Sequence, residues 1–179
     1  MRLLILRPGV TALANKRYHY YVEGPDDEKV VNTLRLKMGL IESGKVDVLN
    51  VVTQRITDLR LRTLAPGTTV VLVFDTDAGN RTILDANIRT LSNHKNVKEV
   101  ITIPQVSQLE DELVRSCNIR QIKDLLNSKT DREFKPDVLR VTNLDAKLRQ
   151  HQFDINRFWT ATPPAPYQDI PNQAAKVKK

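Results

Sequence analysis

Glu23 directly follows one β-forming run, Tyr18–Val22, and Asp75 and Asp77 directly follow another, Thr69–Phe74. Side chains at alternate positions of an extended segment project to the same side. Asp75 and Asp77 can therefore present two carboxylates to one ligand. Glu23 is followed by Asp26, Asp27 and Glu28. Three or more converging carboxylates repel one another unless a cation lies among them. Hard oxygen donors of this kind suit Mg²⁺ or Mn²⁺, and magnesium takes one or two carboxylates while keeping several waters. A third acidic group, Glu110-Asp111-Glu112, follows a later strand, with Glu110 and Asp111 the additional candidates.

Each cluster also has a plain structural use. Acids after Pro25 suit the first turn of a helix. Asp75-Thr76-Asp77-Ala78-Gly79 suits a turn. Glu110–Glu112 suit the solvated side of a helix whose apolar side is Leu109, Leu113 and Val114. What favours a site is the coincidence of two clusters at two strand ends of one sheet.

The elements that must position these acids follow from periodicity. Tyr18–Val22 predicts a first strand, and Val30, Val31, Leu34 and Met38 predict a helix over 25–38. Residues 46–52 predict a second strand, and Ile56, Leu59 and Leu64 a helix over 53–65, ended by Pro66-Gly67. The continuous apolar run 69–74 fits a strand covered on both faces. A helix containing Ile83, Ala86, Ile88 and Leu91 follows, then a strand over 97–103 ended by Pro104. Strands alternating with helices predict an α/β fold, with a mostly parallel four-stranded sheet flanked by helices. Ligands of such sheets bind beyond the carboxyl ends of the strands, where the acids fall. Helical segments over 107–115, 118–127 and 136–149 make a helical C-terminal extension. Residues 162–179, with Pro163, Pro164, Pro166 and Pro171, predict a disordered basic tail. The resulting division is an extension over 1–16, a domain over 17–115, a helical addition over 116–161 and the tail.

The 179 residues carry 28 Lys and Arg against 21 Asp and Glu, a formal charge of +7. Residues 1–20 hold +4 of this and residues 162–179 hold +2, leaving the domain close to neutral. A basic excess favours polyanionic partners. The single cysteine, Cys117, excludes a disulfide framework and a cysteine-rich zinc site. No apolar stretch approaches the roughly 20 residues of a membrane span, and Leu3–Leu6 is too short for a secretory core. The expected location is the cytoplasm, with no membrane partner.

Tyr21-Val22-Glu23-Gly24-Pro25 and Val73-Phe74-Asp75-Thr76-Asp77-Ala78-Gly79 together resemble the two motifs of the TOPRIM family, a metal-binding domain of topoisomerases, bacterial primases and small nucleases. The resemblance covers residues 17–115 and implies a Rossmann-like TOPRIM fold. Asp27, four residues after Glu23, is similar to the second acid of overcoming-lysogenization-defect nucleases, which have Glu there. The spacing to Gly79 departs from primases, and the charged run of topoisomerases is absent, so the nuclease branch fits better. The implied activity is Mg²⁺- or Mn²⁺-dependent cleavage of DNA or RNA. Asp75 and Asp77 would hold metal, Glu23 would hold metal or act as general acid/base, and Asp27 would share a second metal. The nuclease branch also has a lysine; Lys98, Lys123 and Lys147 are present without distinguishing context. The resemblance allows a separate ATPase as partner, homo-oligomerisation and a role in prokaryotic defence against phages. The chain itself has no P-loop.

A haloacid-dehalogenase-type phosphatase would place its Asp-x-Asp near the domain start, whereas this one follows the third strand. An EF-hand fails because its twelfth position would be Ala86. The alternative of a different kind is a non-catalytic subunit binding nucleic acid or nucleotide. Tyr18, Tyr20 and Tyr21 can stack bases but alternate between strand faces, which favours core and surface roles. His19, His94 and His151 are too scattered for a metal site. Cys117 reads as a small buried residue, and Phe153, Phe158 and Trp159 as the docking residues of the last ordered segment.

Overall fold

The computed structural model describes residues 16–179, so the reading made for the N-terminal extension falls, except for Lys16, outside the described residues. The chain forms β1 (Arg17–Val22), α1 (Pro25–Asn32), β2 (Gly44–Val48), α2 (Asp58–Arg62), β3 (Thr68–Asp75), α3 (Thr82–Ser92) and β4 (Val97–Gln105). Four further helices follow: α4 (Leu109–Ser116), α5 (Lys123–Leu126), α6 (Asp131–Arg140) and α7 (Leu144–Gln150). All strands run parallel, in the order β2-β1-β3-β4. The architecture is the expected α/β sheet flanked by helices, with helices added after it.

Strand alternation divides the core in two. Tyr20, Val22, Val71, Val73, Ile101 and Ile103 pack against α1, α4, α6 and α7. Tyr21, Val70, Leu72 and Phe74 pack on the other face against α2 and α3. Every residue of β3 is buried, as its unbroken apolar run requires of a central strand. The chain steps from β1 outward to β2, then crosses back to β3. In sheets of this kind such a reversal leaves a crevice beyond the carboxyl ends of the strands, here β1 and β3.

Several elements differ from expectation, each for a tertiary reason. The helix expected over 25–38 ends at Asn32 and continues as a π-helical turn, Thr33–Lys37. The helix expected over 53–65 is only Asp58–Arg62. Asn50 Oδ1 draws the N–H groups of Val52 and Thr53 into a turn, both at 3.1 Å. Asn87 of α3 then holds the loop by accepting from Ile56 N at 2.9 Å and donating to the carbonyls of Val51 and Gln54 at 2.8 Å. Pro104 does not end β4 but lies within it, opposite Phe74. It has the parity of Thr102, whose backbone faces away from β3, so its missing N–H falls on the outer edge where a strand tolerates proline.

The expected disordered tail is a packed segment. Tyr167, Ile170, Ala174 and Val177 are buried, and Tyr167 lies on Phe74 with ring centroids 6.1 Å apart. Gln173 covers the outer edge of β4: its N–H donates to Thr102 O at 2.9 Å, and its Oε1 accepts from Thr102 N at 3.0 Å. Composition alone misses this because a few spaced anchors suffice where a sheet edge supplies the remaining hydrogen bonds. Phe158 and Trp159 are buried as expected of docking residues, with Phe153 partly buried against them. Cys117 is buried, which pushes its thiol up to about 12. Tyr20 and Tyr21 are fully buried, so neither is available to stack on a base.

Candidate metal centre at the carboxyl ends of the central strands

Alternation along β3 puts Asp75 on the face of Val71 and Val73, and alternation along β4 puts Gln105 on the face of Ile101 and Ile103. That is the face covered by α1. Pro25 starts α1 immediately after β1, so its first turn lies over the same strand ends, and Asp27 points inward. Gln105 joins them: its Nε2 donates to Asp27 Oδ1 at 2.7 Å and to Asp75 Oδ1 at 2.9 Å. Asp27 Oδ2 also accepts the Gly24 N–H at 3.2 Å, so Asp27 caps α1 while belonging to the cluster.

Glu23 reaches the same place from the end of β1, where its Oε2 accepts the Asp75 N–H at 3.2 Å. Thr76 anchors the following turn to β4, donating from N and Oγ1 to Gln105 O at 3.1 and 2.9 Å. Asp77 emerges beyond that anchor and is exposed. Glu23, Asp27 and Asp75 are thus linked, the first half-buried and the other two buried, and the exposed Asp77 lies near enough for its charge to act on Glu23 and Asp75.

The electrostatics follow from burial. Asp75 is pushed up to about 9, first by burial and then by the charges of Asp27, Glu23 and Asp77, with the Gln105 amide opposing. Asp27 is pushed up to about 7 by burial and by Asp26, with Gln105 and the Gly24 N–H opposing. Burial also raises Glu23, the Asp75 N–H opposes it, and Asp77 adds to the rise. Four carboxylates in one crevice, three of them raised, form a site short of positive charge.

Among the described residues, an ammonium from α6 stands at its mouth. Lys135 Nζ lies 3.5 Å from Asp26 Oδ2 and 3.3 Å from Glu110 Oε1. Burial works against its charge, but Asp26 and Glu110 outweigh that and raise it. Glu110 is therefore tied to the rim of the site through Lys135. Asp111 is not drawn in; it lines an adjoining cleft of about 610 Å³ with Glu110, Arg120, Arg132 and Lys135. Among the described residues, Lys123 and Lys147 pair with no acid, and Lys98 stands near the amino end of β4, away from the site.

Sequence reasoning missed Gln105 and Lys135, misplaced Glu112, and gave Trp159 a docking role only. Gln105 was hidden by treating Pro104 as the strand end; its parity with Ile101 and Ile103 was the available signal. Lys135 fell one residue before the helix expected from 136. Glu112 was grouped with a solvated face, yet it is fully buried and accepts from Val106 N at 2.9 Å and Trp159 N at 3.0 Å.

The donor atoms are of the hard kind that Mg²⁺ takes. The oxygens are carboxylates, and among the described residues nothing donates to Asp75 Oδ2, Glu23 Oε1 or the Asp77 carboxylate. No group of three or more His, Cys, Asp or Glu side chains among the described residues is arranged so as to hold a metal ion. An open site with one or two carboxylates and several waters is what magnesium prefers. Compared with protein-family models, curated proteins and solved structures, the chain matches none. No helix among the described residues is long and apolar enough to cross a membrane.

Proposed function

We propose that this chain is a TOPRIM-like, Mg²⁺-dependent nuclease that hydrolyses phosphodiester bonds in DNA or RNA. The observation that carries the reading is the convergence of Glu23, Asp27, Asp75 and Asp77 in the crevice where the strand order reverses. In this reading Glu23, Asp75 and Asp77 hold Mg²⁺ or Mn²⁺, and Asp27 borders them. Metal bound there supplies an activated water and positive charge against the phosphate oxygens. Glu23 keeps one oxygen free, with which it can take or return a proton. Lys135 brings an ammonium to the mouth of the crevice, where it can meet a phosphate oxygen, and it takes the role for which Lys98, Lys123 and Lys147 were the sequence's candidates. Work beside a separate ATPase in anti-phage defence belongs to the same reading and rests on the motif resemblance alone.

The test is cleavage of labelled tRNA, ssRNA, ssDNA and dsDNA by the purified full chain with Mg²⁺ or Mn²⁺. Metal-dependent cleavage lost in Glu23→Gln and in Asp75→Asn supports the proposal. Cleavage that persists unchanged in both variants rules out this site. A wild-type chain that binds substrate and Mn²⁺ but cleaves nothing favours the alternative, a non-catalytic binding subunit.

A further inference from the structure

The Gln105 amide makes three hydrogen bonds, with both N–H groups and its oxygen engaged, and the third partner lies far along the chain. Trp159 Nε1 donates to Gln105 Oε1 at 3.0 Å. An indole N–H only donates, so it can meet only the carbonyl end of the amide. That contact decides which way the amide faces. With the oxygen turned to Trp159, both N–H groups of Nε2 face carboxylates, one on Asp27 and one on Asp75. Reversal would set the amide oxygen against two carboxylates and an NH₂ against an indole N–H.

Trp159 is itself held on every side. Its N–H donates to the buried Glu112, and its carbonyl accepts from Asn172 Nδ2 at 3.0 Å. Its ring lies 4.5 Å from that of Phe158. Its backbone is left-handed, with φ of 57°. A bulky residue there is disfavoured and persists only where surrounding contacts over-determine it. Those contacts aim the indole at Gln105.

We propose that Gln105, oriented by Trp159, is a positioning residue that holds Asp27 and Asp75 side by side and leaves Asp75 Oδ2 turned to the crevice for a divalent cation. The proposal rests on the reading that these acids bind metal. It makes the segment after α7 part of the site: without the indole, the amide is free to turn, and the two carboxylates lose the donor between them. Partners of this kind, one step removed from a metal, typically change its affinity by about 10–100-fold.

The test uses Mn²⁺ alone and the full chain. Mn²⁺ affinity is measured by electron paramagnetic resonance for wild type, Gln105→Leu, Trp159→Phe and Asp75→Asn. Trp159 is the single tryptophan, so its indole N–H gives one ¹H–¹⁵N resonance that reports on Gln105 as Mg²⁺ is added. The expected result is an affinity about 10–100-fold weaker in Gln105→Leu and about 3–10-fold weaker in Trp159→Phe. The wild-type indole resonance should shift with Mg²⁺, and that shift should disappear in Gln105→Leu. Trp159→Phe preserves the aromatic packing, so it carries the test if Gln105→Leu fails to fold. Wild-type affinity in both Gln105→Leu and Trp159→Phe, with Asp75→Asn abolishing binding, overturns the positioning role and leaves the metal reading standing. A wild type that binds no Mn²⁺ overturns the metal reading and this proposal with it.

Discussion

The Asp75 N–H donates to Glu23 Oε2 at 3.2 Å, across 52 residues of sequence. This bond joins the ends of β1 and β3 at the point where the strand order reverses. It fixes one oxygen of Glu23 and joins the ends of the two motifs.

The raised carboxyls make the metal-free protein sensitive to pH. The ordinary Asp value is 3.8, and the folded chain keeps the protons of Asp27 and Asp75 to about 7 and about 9. Between these limits the unfolded chain has released protons that the folded chain still holds. Stability contributed by these groups is therefore complete below about pH 4 and falls as pH rises toward 7 to 9. Thermal melts without metal should show a lower midpoint at pH 8.5 than at pH 5.5. Asp75→Asn should flatten that slope and raise the midpoint at pH 8.5 by on the order of a few degrees.

Metal should reverse the trend. A bound divalent cation needs ionised carboxylates, so binding should release protons and strengthen as pH rises. Calorimetric titration of Mn²⁺ at pH 7.5, in buffers of different ionisation enthalpy, should show net proton release into the buffer. Asp75→Asn should reduce that release. Equal apparent heats in all buffers would contradict the assigned cluster.

Lys135→Met separates activity from stability. The side chain is half-exposed, and solvent-screened pairs contribute roughly 0–1 kcal/mol. The melting midpoint should barely move, while cleavage should fall by roughly 10–100-fold if the ammonium meets a phosphate oxygen in the transition state. Lys123→Met is the control and should retain wild-type cleavage.

The C-terminal segment should be needed for the fold as well as for the site. Tyr167 is fully buried against Phe74, and truncating such an aromatic costs about 3–5 kcal/mol. Tyr167→Ala should lower the urea midpoint accordingly. Removal of residues 164–179 should also expose the outer edge of β4 and promote association, readable by light scattering.

Much of the framework was legible because its signals are local. The unbroken run ending at Phe74 identified a strand buried on both faces, and Pro25 marked the start of α1. Glu23 and Asp75 could be placed at strand ends because each closes a run of β-forming residues. Segments without a clean period failed: the loop held by Asn87 resembled a helix, and the proline-bearing tail resembled disorder.

By itself the sequence determined the alternation of strands and helices, the α/β class and the placing of acids at two strand ends. Each of these depends on residues within a few positions of one another. The tertiary structure decided which acids meet and what surrounds them. Gln105 reaches Asp27 across 78 residues and Trp159 reaches Gln105 across 54. Such contacts depend on the order β2-β1-β3-β4 and on how the C-terminal segment wraps the sheet. No period in the chain encodes them, because they arise only once the strands have paired and both faces are covered.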